Sequence, residues 1–301
     1  MTEAPLVSLC IPTNGISEWV CPVLESIYTQ NVDEMLFEVV ITDNGNNSMF
    51  KDSISKYLTE HNNLVYHKTD AFMFQNQIEA FKLATGSFIK FVNHRMTLRE
   101  NALKHIIDFA KNNLEEKPVV YFLNDSLPMR ETVSQYTKFE KFVENLSYYS
   151  SWSAGLAIWK RDFDELPESQ TYNLYFPHIT ILFSKKDAKK YVIDNTPLMK
   201  ELPTDESKKG KYNLFQVFAV EYVSVIGDMM RTGDISVDCF LKTKKAIRLF
   251  IANLYIKYII QKQKCSYILD NYKKYINVYY SVPSVMLIGI KNLIASKLKL
   301  H

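Results

Sequence analysis

Three polar clusters near the start of the chain carry side chains that could bind a ligand, and each follows a short apolar run. They are Pro12-Thr13-Asn14-Gly15 after residues 6–11, Asp43-Asn44-Gly45 after residues 37–42, and Asn93-His94-Arg95 after residues 88–92. Apolar runs of this length that end in turn-forming residues predict β-strands. Ligands bind at the carboxyl ends of the strands in a parallel sheet, so we expect the clusters to converge on one crevice.

The elements between these clusters alternate between strand and helix over the first 125 residues. Two more strands are predicted at residues 64–67 and 119–123, and helices at residues 17–30 and 75–84. A further helix is expected to start with Thr97 as its N-cap and to run to Asn112. This alternation predicts an α/β fold in which helices flank a mostly parallel, Rossmann-like sheet.

The pattern beyond residue 125 is weaker. Strands are expected at residues 152–160 and 191–197, a short helix after Pro177-His178, a helix at residues 214–230, and mainly helix from Thr243 onward. We therefore divide the chain into a domain of two halves, 1–125 and 126–240, and a basic, amphipathic helical region at 241–301.

The composition indicates a folded cytoplasmic protein. Of the 301 residues, 47% are hydrophobic and 13% aromatic, which excludes a disordered chain. No apolar run approaches the roughly 20 residues that cross a bilayer, and no signal peptide is expected at the N-terminus. The four cysteines lack C-x-x-C or zinc spacing and are expected to be reduced thiols.

The net charge of +3 hides an asymmetry. Residues 241–301 contain twelve Lys and Arg and one acid, so this region carries +11 and the rest of the chain −8. A basic region on an acidic body predicts an anionic partner for that region.

Several common nucleotide and hydrolase motifs are absent from the sequence. It has no G-x-G-x-x-G after the first strand, no G-x-x-x-x-G-K-[ST] and no G-x-S-x-G. Readings as a dinucleotide oxidoreductase, a P-loop kinase or an α/β-hydrolase are therefore disfavoured.

The motifs that are present resemble those of family 2 glycosyltransferases with the GT-A fold. The likeness covers residues 6–105 and combines Pro12-Thr13-Asn14, a strand that ends in Asp43-Asn44-Gly45, and a Gly86 turn that leads into Phe88-Ile89-Lys90-Phe91. The segment Phe74-Gln75-Asn76 is most similar to the abequosyltransferase-like subgroup, which builds bacterial O-antigen and capsule.

The resemblance implies an inverting transfer of a hexosyl or deoxyhexosyl group from a nucleoside diphosphate sugar, most often a UDP-sugar, to a hydroxyl of a lipid-linked glycan. Pro12 and Thr13 would line the base and ribose, and Asp43 or Asn44 would bind the edge of the base. The implied donor site is completed by Asn76, Asn93 and Arg95. The alternative for Asp43 is a side chain that only stabilises its own turn.

Asn93-His94-Arg95 departs from the family pattern, because the family carries an acidic DxD motif there. A carboxylate pair would ligate Mn or Mg, whereas an Arg would repel a cation. The Arg95 guanidinium could instead neutralise the diphosphate, while His94 adds a hydrogen bond or a weak metal ligand. The alternative is a protein that has lost catalysis and binds a nucleotide sugar or acts as a scaffold.

No Glu-Asp pair supplies the family's catalytic base. His178 is the candidate, since its ordinary pKa near 6.5 suits proton transfer at neutral pH. Asp162, Asp164 and Glu165 are alternatives, unless they only form a solvated helix start.

Lysines alternate with apolar and aromatic residues at 248–260 and 283–300, which favours helices that lie on a membrane surface. Since no nucleic-acid-binding motif occurs, we expect an anionic membrane and not a nucleic acid as partner. An ordinary packed helical hairpin is the alternative. The protein is thus expected in the cytoplasm, peripheral at the inner face of the membrane.

Overall fold

The computed structural model of the protein describes residues 4–127, 129, 131–203 and 210–298, with side chains of the last helix described as far as Ala295. The chain forms two compact units. Unit one comprises residues 1–142 and 149–202, and unit two comprises residues 143–148 and 203–301. The domain boundary expected at residue 240 lies within unit two, and residues 299–301 of the basic region lie outside the described residues.

The described residues of unit one form ten strands. They are β1 (Val7–Thr13), β2 (Phe37–Asp43), β3 (Leu64–Lys68), β4 (Phe88–Phe91), β5 (Met96–Leu98), β6 (Val119–Phe122), β7 (Val133–Tyr136), β8 (Ala157–Trp159), β9 (Tyr191–Asp194) and β10 (Met199–Glu201). The main sheet has the order β3-β2-β1-β4-β8, in which the first four strands are parallel and β8 is antiparallel to β4. The predicted mostly parallel sheet flanked by helices is confirmed.

The central strands are mainly apolar because both of their faces are covered. Almost every residue of β1, β2 and β4 is buried. The helices that accompany these strands are α1 (Ser17–Tyr28), α2 (Phe50–Ser53), α3 (Ser55–Glu60), α4 (Asn76–Leu83), α5 (Ala102–Asn112), α6 (Phe139–Leu146), α7 (Lys160–Asp164) and α8 (Pro177–Leu182). Of these, α6 begins in unit one and ends in unit two.

Two small sheets lie beside the main one within unit one. β5 pairs with β10, and β6 and β7 flank β9. The prediction that Thr97 caps a helix is wrong, because Thr97 lies in β5 opposite Lys200, and the helix starts at Ala102. Similarly, the strand expected at residues 152–160 shortens to β8, because a 3₁₀ turn occupies Ser153–Gly155.

Unit two is helical over the described residues. Its helices are α9 (Leu214–Gln216), α10 (Tyr222–Arg231), α11 (Val237–Leu254), α12 (Tyr272–Tyr279) and α13 (Val282–Leu298), with π-helical segments at Val217–Glu221 and Tyr255–Ile260. α13 packs closely on α11 at Gly289, where a Cβ would come within 2.9 Å of the Ala252 carbonyl oxygen and would overlap Ile256.

No single helix in the described part of the chain is both long and apolar enough to cross a membrane. The pair formed by α12 and residues 282–295 of α13 meets the length and composition criteria together, but it is bent by 95°.

Candidate functional site

The predicted polar clusters converge at the carboxyl edge of β1, β2 and β4. The Thr13 carbonyl, at the end of β1, accepts hydrogen bonds from the Asn44 backbone N–H at 3.1 Å and from Asn76 Nδ2 at 3.2 Å. The Thr13 hydroxyl lies 2.8 Å from His94 Nδ1. Pro12, half-buried, pairs in register with Thr42 of β2. Thr13 therefore links the three clusters into one network.

Asp43 is fully buried, and other groups of the protein occupy both of its carboxylate oxygens. Oδ1 accepts the Gly45 backbone N–H at 2.7 Å. Oδ2 accepts the Tyr66 hydroxyl and the Lys68 ammonium, each at 3.0 Å. In this arrangement, Asp43 stabilises its own turn and holds β3 against β2, which is the alternative role considered for it from the sequence.

Asn44 and Asn76 are also bound by the protein. Asn44 Nδ2 donates to the carbonyls of Ala71 at 2.8 Å and Met73 at 3.1 Å. Asn76 is buried; its Nδ2 also donates to the Thr42 carbonyl at 2.8 Å, and its Oδ1 accepts the Thr69 hydroxyl at 2.8 Å. Both amides thus fix the loops that follow β2 and β3.

Arg95 differs from these residues because part of its guanidinium has no partner. Nε and Nη1 are buried, and their N–H groups donate to no acceptor in the part of the chain that the structure describes. The guanidinium carbon lies 5.4 Å from the centre of the Trp19 ring, within the range of a cation–π contact. A buried donor without an acceptor costs about 1–3 kcal/mol, and more when it is charged, so this side chain is prepared for an anion.

His94 lies between Thr13 and Trp19. Its ring meets the Trp19 ring edge-on at 5.1 Å between centroids, in addition to its contact with the Thr13 hydroxyl. Burial of the ring, and then the neighbouring Arg95 cation, lower the pKa of His94 to about 3. The imidazole is therefore neutral at physiological pH, and Arg95 carries the positive charge of this cluster.

Asn93 closes the turn that presents Arg95. Its Oδ1 accepts the Arg95 backbone N–H at 3.0 Å, and its carbonyl accepts the Met96 N–H at 2.9 Å. The Arg95 carbonyl in turn accepts the Leu202 N–H at 2.9 Å. The loop between β4 and β5 is therefore tied down on both sides of Arg95.

The residues of this loop do not fit a divalent metal. Asn93-His94-Arg95 supplies no carboxylate, and the guanidinium would repel a cation. Within the described ranges, no group of three or more His, Cys, Asp or Glu side chains is placed to hold a metal ion.

His178 lies on α8 and takes no part in the Thr13 network. It is buried, and its Nε2–H donates to the Ser150 carbonyl at 3.0 Å, while Nδ1 is buried and has no hydrogen-bond partner among the described residues. Burial lowers the pKa of His178 to about 4. The unpaired Nδ1 is the only atom of the ring left to accept a proton, and the role of His178 as base stays a prediction.

The alternative carboxylates lie on and just after α7, where each contacts a cation. Asp162 is buried and lies 3.0 Å from the Arg161 guanidinium and 3.3 Å from Lys185, and Asp164 pairs with Lys160 at 2.6 Å. Glu165 pairs with Lys185, which lowers the pKa of this carboxyl.

The sequence did not point to two buried residues of unit one, Trp19 beside Arg95 and Lys90 in β4. Trp19 looks like an ordinary core position of the amphipathic helix α1, where it is buried. Lys90 is wholly buried in β4, and its ammonium donates to the carbonyls of Phe91, Ala154 and Leu156. The sequence could have indicated Lys90, because a lysine within an apolar strand is unusual. No feature of the sequence distinguished Trp19 from other core residues.

Solved structures resemble this chain in fold. S. aureus TarS 1–349 in complex with UDP-GlcNAc is 14% identical with a TM-score of 0.58, over 86% of this chain and 76% of that chain. The mannosyltransferase PcManGT from Pyrobaculum calidifontis, in complex with GDP-Man and Mn²⁺, is 12% identical with a TM-score of 0.52, over 97% of this chain and 88% of that chain. The fold is of the GT-A glycosyltransferase type.

At these identities the likeness shows the GT-A fold alone. A longer structure of S. aureus TarS has a TM-score of 0.52 and 13% identity; the match covers 84% of this chain but only 43% of TarS. Neither a family model nor a curated protein matches the sequence.

Proposed function

We propose that the protein transfers a sugar from a nucleoside diphosphate sugar to an acceptor hydroxyl. The observation that carries this proposal is the unpaired Arg95 guanidinium at the carboxyl edge of a GT-A sheet, where an anionic donor would bind. Two neighbours of the same fold were solved with UDP-GlcNAc and with GDP-Man, which supports a nucleotide sugar as the ligand class.

The finer assignment rests on the motifs in residues 6–105. We propose a family 2 enzyme of the abequosyltransferase-like subgroup that uses a UDP-sugar, inverts the anomeric centre, and extends a lipid-linked glycan in surface polysaccharide synthesis. A divalent metal is not part of the proposed donor site, because the residues between β4 and β5 do not fit one.

Inversion requires one displacement at the anomeric carbon. The bond from that carbon to the diphosphate oxygen breaks, and its electron pair leaves with the diphosphate. The acceptor oxygen forms the new bond and gives its proton to a base. His178 Nδ1 is the proposed proton acceptor, and a movement of α8 that uncovers the ring would be needed.

A panel of nucleotide sugars tests the proposal. Ligands that bind only the folded state raise its melting temperature, so thermal shifts with UDP-, GDP-, CMP- and dTDP-sugars identify the donor. Turnover is then measured as nucleoside diphosphate released on addition of a membrane lipid extract as acceptor source. Arg95→Gln should reduce both signals, whereas the matched surface variant Arg231→Gln should retain them. Absence of any shift across the panel would contradict the proposal.

The second candidate is a nucleotide-sugar-binding or scaffold protein without catalysis. The buried position of His178 and the pairing of Asp162 with Arg161 and Lys185 favour it, since neither group is placed for proton transfer. A thermal shift with one donor, without release of nucleoside diphosphate from any acceptor, would support this candidate.

We further propose that unit two binds an anionic membrane surface from the cytoplasm. Leu287, Ile290 and Ile294 form an exposed apolar stripe on α13, beside the exposed Lys291. Apolar side chains flanked by lysines suit the interface of an anionic bilayer, where each lysine adds about 1 kcal/mol.

Point variants of the full chain test this surface, because truncation at residue 241 would cut through the packed helices of unit two. We expect co-sedimentation with phosphatidylglycerol vesicles, release by salt, and loss of binding in Leu287→Glu/Ile294→Glu. The control Met49→Glu changes an exposed apolar residue of unit one and should bind normally. Equal binding to neutral and anionic vesicles, or no binding to either, would contradict the membrane proposal.

A further inference from the structure

Arg95 belongs to a cluster of four side chains that differs from the other loops of the sheet edge. Trp19 on α1 packs against the Arg95 guanidinium at 5.4 Å and against the His94 ring at 5.1 Å. His94 Nδ1 lies 2.8 Å from the hydroxyl of Thr13, and that hydroxyl also accepts the Gly15 N–H at 3.2 Å. A cation is thereby held between the ends of β1 and β4.

The cluster contains no anion that would neutralise the guanidinium. Trp19, His94 and Thr13 are uncharged partners, and Arg95 Nε and Nη1 are buried without an acceptor in the described ranges. Asp43, the carboxylate at the end of the neighbouring strand, is occupied by Gly45, Tyr66 and Lys68. The charge of Arg95 is thus left for an external anion, and guanidinium binds phosphate oxygens well.

We propose that Trp19 and His94 are positioning residues that hold Arg95 as a fixed cation for the diphosphate of the donor, in place of a divalent metal. This inference rests on the proposed function and adds how the leaving group is stabilised. As the sugar–diphosphate bond breaks, its electron pair moves onto the diphosphate oxygen, and a cation that is already in place stabilises that charge without reorganisation. His94 acts through the hydroxyl of Thr13 and the ring of Trp19, and it donates no proton in the reaction.

The binding experiment uses the full-length protein with inorganic pyrophosphate, UDP and GDP as probes. Calorimetry is run in EDTA and again with excess Mn²⁺. Pyrophosphate contains the diphosphate common to all donors, so the result does not depend on which base the protein prefers. We expect the wild type to bind at least one nucleotide in EDTA, with a Kd that Mn²⁺ changes by less than about threefold.

Variants separate the charge from its positioning. Arg95→Gln should weaken binding of the diphosphate by about 10- to 100-fold, as expected for a charged hydrogen bond. Trp19→Leu should weaken it by about 3- to 10-fold, and Trp19→Phe, which keeps an aromatic face, should restore most of that loss. Arg231→Gln, an exposed arginine of unit two, is the matched control and should bind as the wild type does.

The Thr13–His94 contact is tested by a double-mutant cycle on nucleotide affinity. Thr13→Val and His94→Gln should each lower the affinity for the nucleotide. The double variant should bind no more weakly than the single variant with the lower affinity, because both substitutions remove the same contact. In turnover, both should raise the KM of the donor and leave the KM of the acceptor unchanged, whereas a general loss of folded protein would lower the apparent kcat and change neither KM.

Three outcomes would overturn the inference. Binding of UDP or GDP by the wild type only in Mn²⁺ would show that a metal is needed while the proposed function stands. Normal binding by Trp19→Leu and His94→Gln, with melting temperatures that confirm folding, would remove their positioning role. Failure of the wild type to bind pyrophosphate, UDP or GDP in either condition would refute the proposed donor site itself.

Discussion

The polar groups differ between the two sides of the carboxyl edge of the main sheet: those on one side are hydrogen-bonded within the protein, and one on the other side is not. On the side of β2 and β3, Asp43 and Asn76 are buried and hydrogen-bonded to the protein through both ends of their side chains. On the side of β4, Arg95 keeps two buried nitrogens unpaired. The polar groups of the first side are satisfied within the protein, and the second side is the one where we propose that a ligand binds, although the sequence offers polar residues on both.

This contrast changes how polar residues at strand ends should be read. A buried polar group is stable when its partners lie within the protein, whereas one without partners lowers stability until a ligand supplies them. Arg95 and His178 Nδ1, which are among the buried groups left unpaired in the described residues, are therefore better candidates for function than the satisfied Asp43.

The largest expected effect is on the satisfied side. Asp43→Ala should lower the free energy of unfolding by about 2–4 kcal/mol, because it leaves the Gly45 N–H and the Tyr66 hydroxyl without their acceptor and Lys68 without its partner. Urea denaturation measures the loss, and the exposed Asp52→Ala is the control. A stable Asp43→Ala protein that has lost nucleotide binding would place Asp43 in the site and break the comparison.

The second expected effect is a decrease in the free energy of unfolding at acidic pH, caused by protonation of His178. Its pKa of about 4 in the folded state lies below the unfolded value of 6.5, so the unfolded chain binds the proton first as the pH falls. Its contribution is complete above pH 6.5 and is lost toward pH 4, by about 2 kcal/mol at pH 5.

His178→Phe should reduce the fall in stability between pH 7 and 5, and the exposed His67→Phe should leave the profile unchanged. His94, whose pKa is also lowered, adds a loss in the same direction that His178→Phe retains. An unaltered profile in His178→Phe would mean that the ring is accessible to protons in the folded protein, which is what a catalytic base requires.

The smallest expected effect is on the unsatisfied side. Arg95→Met should leave the free energy of unfolding unchanged or raise it by about 1 kcal/mol, because it removes buried donors that have no acceptor. The same variant should lose nucleotide binding. A clear loss of stability would show that Arg95 is paired within the free protein, and both sides of the sheet edge would then be alike.

Part of the fold followed directly from the sequence because the signals are local. The apolar runs of β1, β2 and β4 end in turn residues, and each strand was located to within a residue or two. β5 was not predicted, because its three residues are too few to show an alternating pattern. It forms by pairing with β10, which lies far along the chain.

The site was harder to predict, because the hydrogen-bond partners of its side chains depend on the register in which neighbouring strands pair. Tyr66 and Lys68 reach Asp43 only because β3 pairs with β2 so that Thr42 lies opposite His67 and Asp43 opposite Lys68. Residue types at strand ends therefore showed where polar groups gather. Which of them is already satisfied depends on neighbours that only the folded chain brings together.

The buried amine of Lys90 gives the fold an internal reporter of local opening. Burial lowers its pKa to about 7, so at pH 8 much of it is an uncharged nucleophile enclosed by the carbonyls of Phe91, Ala154 and Leu156. An amine-specific reagent can reach it only when β4 separates from residues 154–156. The rate of Lys90 acylation, measured by peptide mass spectrometry, therefore reports how often the contact between β4 and residues 154–156 opens in the native protein. The exposed Lys56 serves as the reference lysine.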